Sequence, residues 1–227
     1  MVSHVVDGLV RDGKVVRGYL GVNIQNITPA LADSFKLKDR EGALVAEVVP
    51  DSPAAKAGLE AGDVIAEVNG REVIDAHNLT LLVTALPPGT KLNLQVIRNG
   101  DTKALSAVAG ERPGSRKSGR FGSSPAGSDT GALGGVALED LDRNVRQQFN
   151  LPARLRGALI ARVDPESAAA RAGIRPGDVV LEVNRRPVGS AEEALELSST
   201  AGKGRTLLKL WSRGSTIFVV VDGGNAG

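Results

Sequence analysis

Gly58-Leu59-Glu60-Ala61-Gly62-Asp63-Val64-Ile65-Ala66-Glu67-Val68-Asn69-Gly70 is the stretch whose reading decides the fold. Ser52 can cap a short helix over Pro53 to Ala57, and Gly58 is its left-handed stop. Gly62-Asp63 turns into a strand from Val64 to Val68, and Asn69-Gly70 is a hairpin-grade turn. The same punctuation returns further on. Gly157-Ala158-Leu159-Ile160-Ala161-Arg162-Val163 repeats Gly42 to Val48. Ser167, Ala172-Gly173, Gly177-Asp178-Val179 and Glu182-Val183-Asn184 repeat Ser52, Ala57-Gly58, Gly62-Asp63-Val64 and Glu67-Val68-Asn69. The offset is 115 throughout (157 minus 42; 184 minus 69), with no gap. A gap-free match of turn glycines, caps and apolar positions marks two copies of one domain. Each copy has about 90 residues, an ordinary size for an independent domain.

Outward from that stretch, Val22 to Asn26 alternates as a strand, and Thr28-Pro29 opens a short helix through Phe35. Asp75 caps a helix from Ala76 to about Leu86, which Pro87-Pro88-Gly89 ends. Lys91 to Arg98, Asn99-Gly100 and Asp101 to Val108 form a hairpin. In the second copy Ser190-Ala191-Glu192-Glu193 is a capping box for the long helix. Leu207 to Leu210, Arg213-Gly214 and Ile217 to Val221 repeat the hairpin.

At the N-terminus, Val2, Val5, Val6, Leu9 and Val10 share one helical stripe, so residues 1–16 are expected to form a helix docked on a core. Residues 111–132, rich in Gly and Ser with Arg116, Lys117 and Arg120, are expected to be a flexible linker. Its basic residues make only a short, salt-sensitive patch, and the net charge of +2 does not argue nucleic-acid binding. Hydrophobic residues are 41% but aromatics only 3%, so Val, Leu, Ile and Ala must fill the interior. With no cysteine, disulfides and thiolate metal sites are excluded. No apolar run approaches the roughly 18 residues of a membrane span, so no membrane insertion is expected. No signal peptide is read at the N-terminus, and a secreted origin requires sequence upstream of Met1.

Tyr19-Leu20-Gly21-Val22 carries the functional reading. A glycine before an alternating strand lets successive N–H groups point into one hollow, which favours an anion. If the strand is a sheet edge, a peptide can pair with it and place its terminal carboxylate there. For hydrolysis, a serine protease needs a Ser nucleophile, a His base and an orienting acid. The chain has only His4 and His77, neither in such a context, and no Gly-x-Ser-Gly-Gly stretch. No catalytic residue and no cofactor is therefore assigned.

Gly58 to Gly70 and Gly173 to Arg185 resemble the Gly-Leu-x-x-Gly-Asp-Val-Ile-x-x-Val-Asn-Gly pattern of PDZ domains. The lead-in Gly13 to Val22 resembles the junction from protease to first PDZ domain in HtrA/Deg (Do-like) serine proteases. The resemblance implies an α+β, mostly β fold. It has two small, partly open β-barrel or sandwich domains, each with a short and a long helix, in the bacterial strand order. Expected boundaries are 17–110 and 133–224. The resemblance further implies the peptide-recognition region of a periplasmic quality-control endopeptidase and chaperone, without its catalytic domain. The implied partners are C-terminal or unfolded peptide segments, the protease domain and neighbouring subunits of an oligomer.

The resemblance also assigns a site. Leu20, Gly21 and Val22 supply carboxylate-binding N–H groups beside Tyr19, and the strand through Asn23 and Ile24 pairs with the peptide. On the long helix Leu79, Val83 and Leu86 form one stripe; Asn78, Leu82 and Ala85 form the neighbouring one, which faces the groove. Leu82, with Leu20, Val22 and Ile24, then meets the last side chain of the peptide, which implies a C-terminal Val, Leu or Phe. Arg17 is a further candidate near the carboxylate. The second copy departs from the pattern. Its loop is Leu133-Gly134-Gly135-Val136, with Gly134 where Leu20 stands. Leu197 matches Leu82, and Glu193 replaces Asn78, where it is expected to repel a carboxylate. The second copy is therefore expected to be a contact surface for neighbouring subunits. A stand-alone adaptor without a protease is the alternative.

Overall fold

The computed structural model describes residues 18–37, 41–111, 133, 135–200 and 204–222. The helix expected over 1–16, Arg17, Gly134 and all but the first residue of the 111–132 linker lie outside them. The chain divides into two compact units, Met1–Arg116 and Lys117–Gly227.

In the first unit β1 (Gly18–Tyr19) pairs with β8 (Gly110–Glu111). A second sheet runs β2 (Val22–Gln25), β3 (Ala43–Val48), β4 (Val64–Val68), β6 (Lys91–Arg98), β7 (Asp101–Val108), all antiparallel. The short β5 (Arg71–Glu72) folds back on β4 through Asn69-Gly70, both at positive φ (53° and 75°), the geometry that favours Asn-Gly. Among the described residues of the unit the helices are α1 (Pro29–Ser34), α2 (Pro53–Lys56) and α3 (Ala76–Thr84). Thr28, Ser52 and Asp75 cap them, as the sequence leads one to expect. Leu44, Ile65, Leu79, Leu92 and Leu94 are among the largest fully buried side chains, an aliphatic core as the scarcity of aromatics requires.

The second unit repeats this plan. Its sheet runs β9 (Val136–Asp140), β10 (Ala158–Val163), β11 (Val179–Val183), β13 (Arg205–Ser212), β14 (Ser215–Asp222), with β12 (Arg186–Pro187) folded onto β11. Its helices are α4 (Arg143–Gln148), α5 (Ala168–Arg171) and α6 (Ala191–Thr200). Two expectations are corrected. The long helix of the first unit ends at Thr84, not Leu86; Leu86 donates to Val83 O in a tightened turn, and its neighbour Pro87 disfavours a helical backbone there. The capping box is looser than read: Glu193 N donates to Ser190 Oγ, but the Glu193 carboxylate reaches past Ser190 to accept from Gly189 N at 2.7 Å.

The 115 offset also does not extend to the ends of the repeat. Gly21 corresponds to Gly135 (135 minus 21 is 114), and the hairpin turn Asn99-Gly100 to Arg213-Gly214 (213 minus 99 is 114). The hairpin also differs between the copies at a buried carboxylate: by strand register Ser212 stands where Arg98 does. In the first unit Asp63, 1% exposed, accepts from Glu60 N and so closes the Gly58–Asp63 loop. Its carboxylate is gripped by Arg98 Nε and Nη2, both at 2.7 Å, and Arg98 also donates to Glu60 and to Gly58 O. Such a bidentate fork is among the stronger charge-assisted pairs. In the second unit Asp178 closes the same loop on Arg175 N, but Ser212 takes the place of Arg98. Burial therefore holds the Asp178 carboxyl above the ordinary aspartate range, opposed by hydrogen bonds from Ser212 and Arg175 N and by the charges of Arg213 and Arg175.

A raised folded-state value means that the stability it confers is full below the unfolded value and is lost as pH rises through the folded one. Trp211, the sole tryptophan, stands across from Val179 beside this loop and reports the second unit. In urea unfolding followed by Trp211 fluorescence, Asp178→Asn gains stability relative to the natural chain as pH rises from about 3 to about 7. A difference that falls with rising pH contradicts this account.

Candidate functional site

The first copy of the site begins with two carbonyl groups that point inward. Leu20 O accepts from Ala54 N at 2.8 Å. Gly21 O accepts from Val49 N at 2.9 Å and from Ser52 Oγ at 3.3 Å. In a trans peptide the next N–H points opposite to the carbonyl. The N–H groups of Gly21 and Val22 are therefore turned out of the domain, side by side. Among the described residues, the N–H groups of Leu20 and Gly21 donate to no protein acceptor. Gly21 has φ +82°, and a Cβ on it would lie 2.2 Å from Ser52 Cβ, so glycine is required on both counts. Ser52, 5% exposed, also caps α2 by accepting from Ala55 N. One hydroxyl thus joins the helix cap to the loop. The sequence shows the cap but carries no local sign that Ser52 supports a loop 31 residues away.

Strand β2 follows the loop and lies at the edge of its sheet, paired only with β3 among the described strands. Val22 stands opposite Val48, and Val49 N bonds Gly21 O, so the main-chain groups of Val22 face the open side. The helix α3 is tied to this strand at both ends. Ala76 N donates to Asn26 Oδ1 at 3.0 Å, just beyond the strand. Gly18 N donates to Leu86 O at 3.1 Å, just before the loop. A Cβ on Gly18 would come within 2.4 Å of Val83 O, so this close approach also needs glycine.

The two helical stripes separate as expected. Leu79 and Val83 are buried in the core; Asn78 and Leu82 are half-buried and Ala85 is exposed. Val22, Ile24 and Leu82 are all half-buried and pack against the first core cluster. Leu20 lies beneath, buried in the core itself, and its main chain is what it offers the surface. Tyr19 is half-buried, and Asn23 Nδ2 donates to Glu47 Oε2 at 2.9 Å. Asn78 Oδ1 accepts from Ile74 N at 3.4 Å. His77 is exposed in the first turn of α3.

The second copy keeps the scaffold and changes the surface. Gly135 has φ +94°, with Ser167 Cβ at 2.4 Å from an added Cβ, and Gly135 O accepts from Asp164 N. Ala191 N donates to Asp140 Oδ1 at 2.7 Å, the counterpart of the Asn26 tie. Leu133, from the position of Tyr19, is buried in the second core. Val136 is buried where Val22 is half-exposed, and Leu197 is half-buried against the core. The expectation for Glu193 is corrected. Its carboxylate folds back on Gly189 N, and the Asp140 tie puts that helical turn at the end of β9 remote from Gly135. Five strand residues of about 3.3 Å each separate it from the carboxylate loop.

An edge strand, a glycine loop with outward amides and a helix tied to that strand at both ends are together the plan of a PDZ domain. Models of the PDZ domain match residues 18–108 and 159–212. A probable periplasmic DegP-like serine endoprotease of Halomonas elongata is 38% identical over 218 residues, 96% of this chain and 44% of that protein. The Chlamydia trachomatis protein of the same name is 35% identical over 97% of this chain and 42% of its own length. Among solved structures, the HtrA-type protease AlgW with decapeptide is 38% identical, with 50% of this chain and 35% of that chain covered and a TM-score of 0.46. The chain spans less than half the length of the curated relatives it matches. The chain belongs to the PDZ domain family, in two tandem copies, and is similar over nearly its whole length to part of these DegP-like endoproteases.

Gly21→Ala should displace the loop from Ser52 and force a left-handed backbone on alanine, a loss of about 1–3 kcal/mol. Urea unfolding checks the stability, and peptide titration should show binding weakened beyond that loss. An alanine variant of natural stability and natural affinity contradicts the geometry.

Proposed function

We propose that the chain is the substrate-recognition region of a periplasmic HtrA-type serine endopeptidase in protein quality control. In this reading the domain over 17–110 captures C-terminal hydrophobic peptide ends by strand addition to Val22–Gln25. The carboxylate sits on the outward N–H groups of Leu20, Gly21 and Val22. The last side chain enters the trough of Val22, Ile24 and Leu82, with Ala85 at its end and Asn78 one helical turn away. The observation that carries the reading is the pair of pinned carbonyls at Leu20 and Gly21, which turns the adjacent amides outward at an open sheet edge. Each buried apolar anchor contributes roughly 1.5–3 kcal/mol, and ordering losses bring the net affinity to about micromolar.

The domain over 133–224 is assigned to contacts with neighbouring subunits. The burial of Val136 supports this, since it reduces the apolar surface open to a ligand side chain. Residues 1–16 and the protease domain join the recognition region to catalysis that this chain does not carry.

Fluorescence polarisation with a peptide ending in Val tests the reading. Amidation of the peptide end and Leu82→Glu should each weaken binding at least about tenfold. Equal binding of the free acid and the amide removes the carboxylate site; equal binding by Leu82→Glu removes the trough.

A further inference from the structure

Glu47 lies next to the edge strand and is not needed to build the trough. Val22 and Val48 are cross-strand partners that both pack on the core, so their neighbours Asn23 and Glu47, also partners, lie on the opposite sheet face. There the Glu47 carboxylate leans toward the edge strand and accepts from Asn23 Nδ2 through Oε2 at 2.9 Å. Its charge is therefore held over β2, about one strand spacing, 4.8 Å, from whatever pairs with the open edge.

We propose that Glu47 selects a basic side chain at the residue just before the C-terminal one of the bound peptide. The inference rests on the proposed groove. With the carboxylate on the amides of Leu20 to Val22, the last peptide residue stands beside Val22 and turns its side chain into the trough. Alternation then turns the preceding side chain to the other face, beside Asn23. A lysine or arginine there reaches across Asn23 to the Glu47 carboxylate. An acidic residue there meets like charge. The second unit carries the opposite sign at the equivalent register: Arg162 stands across from Ala137, as Glu47 does from Asn23. Arg162 lines a cleft with Gly135, Val136, Asp164 and Pro165. The two copies are thus distinguished at this position by charge as well as at their loops by shape.

The test uses the full chain and three peptides alike but for Lys, Ala or Glu before a terminal Val, titrated at low and high salt. The natural chain should prefer Lys over Glu by about two- to fivefold at low salt, the range for a partly exposed pair, and the preference should shrink with added salt. Glu47→Lys should reverse the order. Glu47→Gln, which can still accept from Asn23, should abolish the preference while the Ala peptide binds as before. If all three peptides bind the natural chain alike and the free acid still outbinds its amide, the selection by Glu47 is wrong and the groove stands. If no free-acid peptide binds better than its amide, both are overturned.

Discussion

Two main-chain carbonyls, of Leu20 and Gly21, are the constraint on which the site depends. They are tied to Ala54 N, Val49 N and Ser52 Oγ. Because the peptide unit is planar, fixing a carbonyl inward fixes the following amide outward. In the proposed reading no charged side chain is required to create an anion site; a buried hydroxyl, a helix start and a glycine suffice. The cost is a backbone that favours glycine at position 21 and that leaves the Leu20 and Gly21 amides without a partner among the described residues. Such a cost is reasonable where a ligand supplies the missing acceptor.

The same physics explains why two copies with one plan need not do one task. The scaffold bonds recur almost unchanged: Ser52 and Ser167 as caps, Asp63 and Asp178 as loop closures, Asn26 and Asp140 as helix ties. What differs is what faces outward. Arg98 neutralises Asp63, while Asp178 meets Ser212 in its place, with Arg213 and Arg175 nearby. Val22 is half-exposed and Val136 buried; Glu47 is replaced by Arg162. Each change lies at the rim or at one hairpin, where a substitution or a single lost residue leaves the core intact.

The parts legible in the sequence were those set by local chemistry. Caps at Thr28, Ser52 and Asp75, and turns at Asn69-Gly70 and Asn99-Gly100, are specified within a few residues and are where they were expected. The division of the long helix into a Leu79/Val83 stripe and an Asn78/Leu82 stripe follows from helical period; which of them turns inward was implied by the resemblance, and Leu79 and Val83 are the buried pair. Interactions between distant residues were not legible. Arg98 meets Asp63 across 35 residues, and Glu47 meets Asn23 across 24. A repeat matched on turn glycines also hid its own irregularity, because the matched positions, Gly42 to Asn69 against Gly157 to Asn184, all lie before the stretch in which the residue is lost. Glu193 was misjudged for a related reason: its charge was legible, but the backbone amide it folds onto, at Gly189, was not.

The most direct measurement is amide NMR of the full chain during titration with a short peptide ending in a free hydrophobic residue. The account predicts that the amide protons of Gly21 and Val22 move strongly downfield as they gain a charged acceptor, with Leu20 following and Gly135 unchanged. Binding that leaves the Gly21 and Val22 amides where they were, and shifts resonances elsewhere, would contradict it.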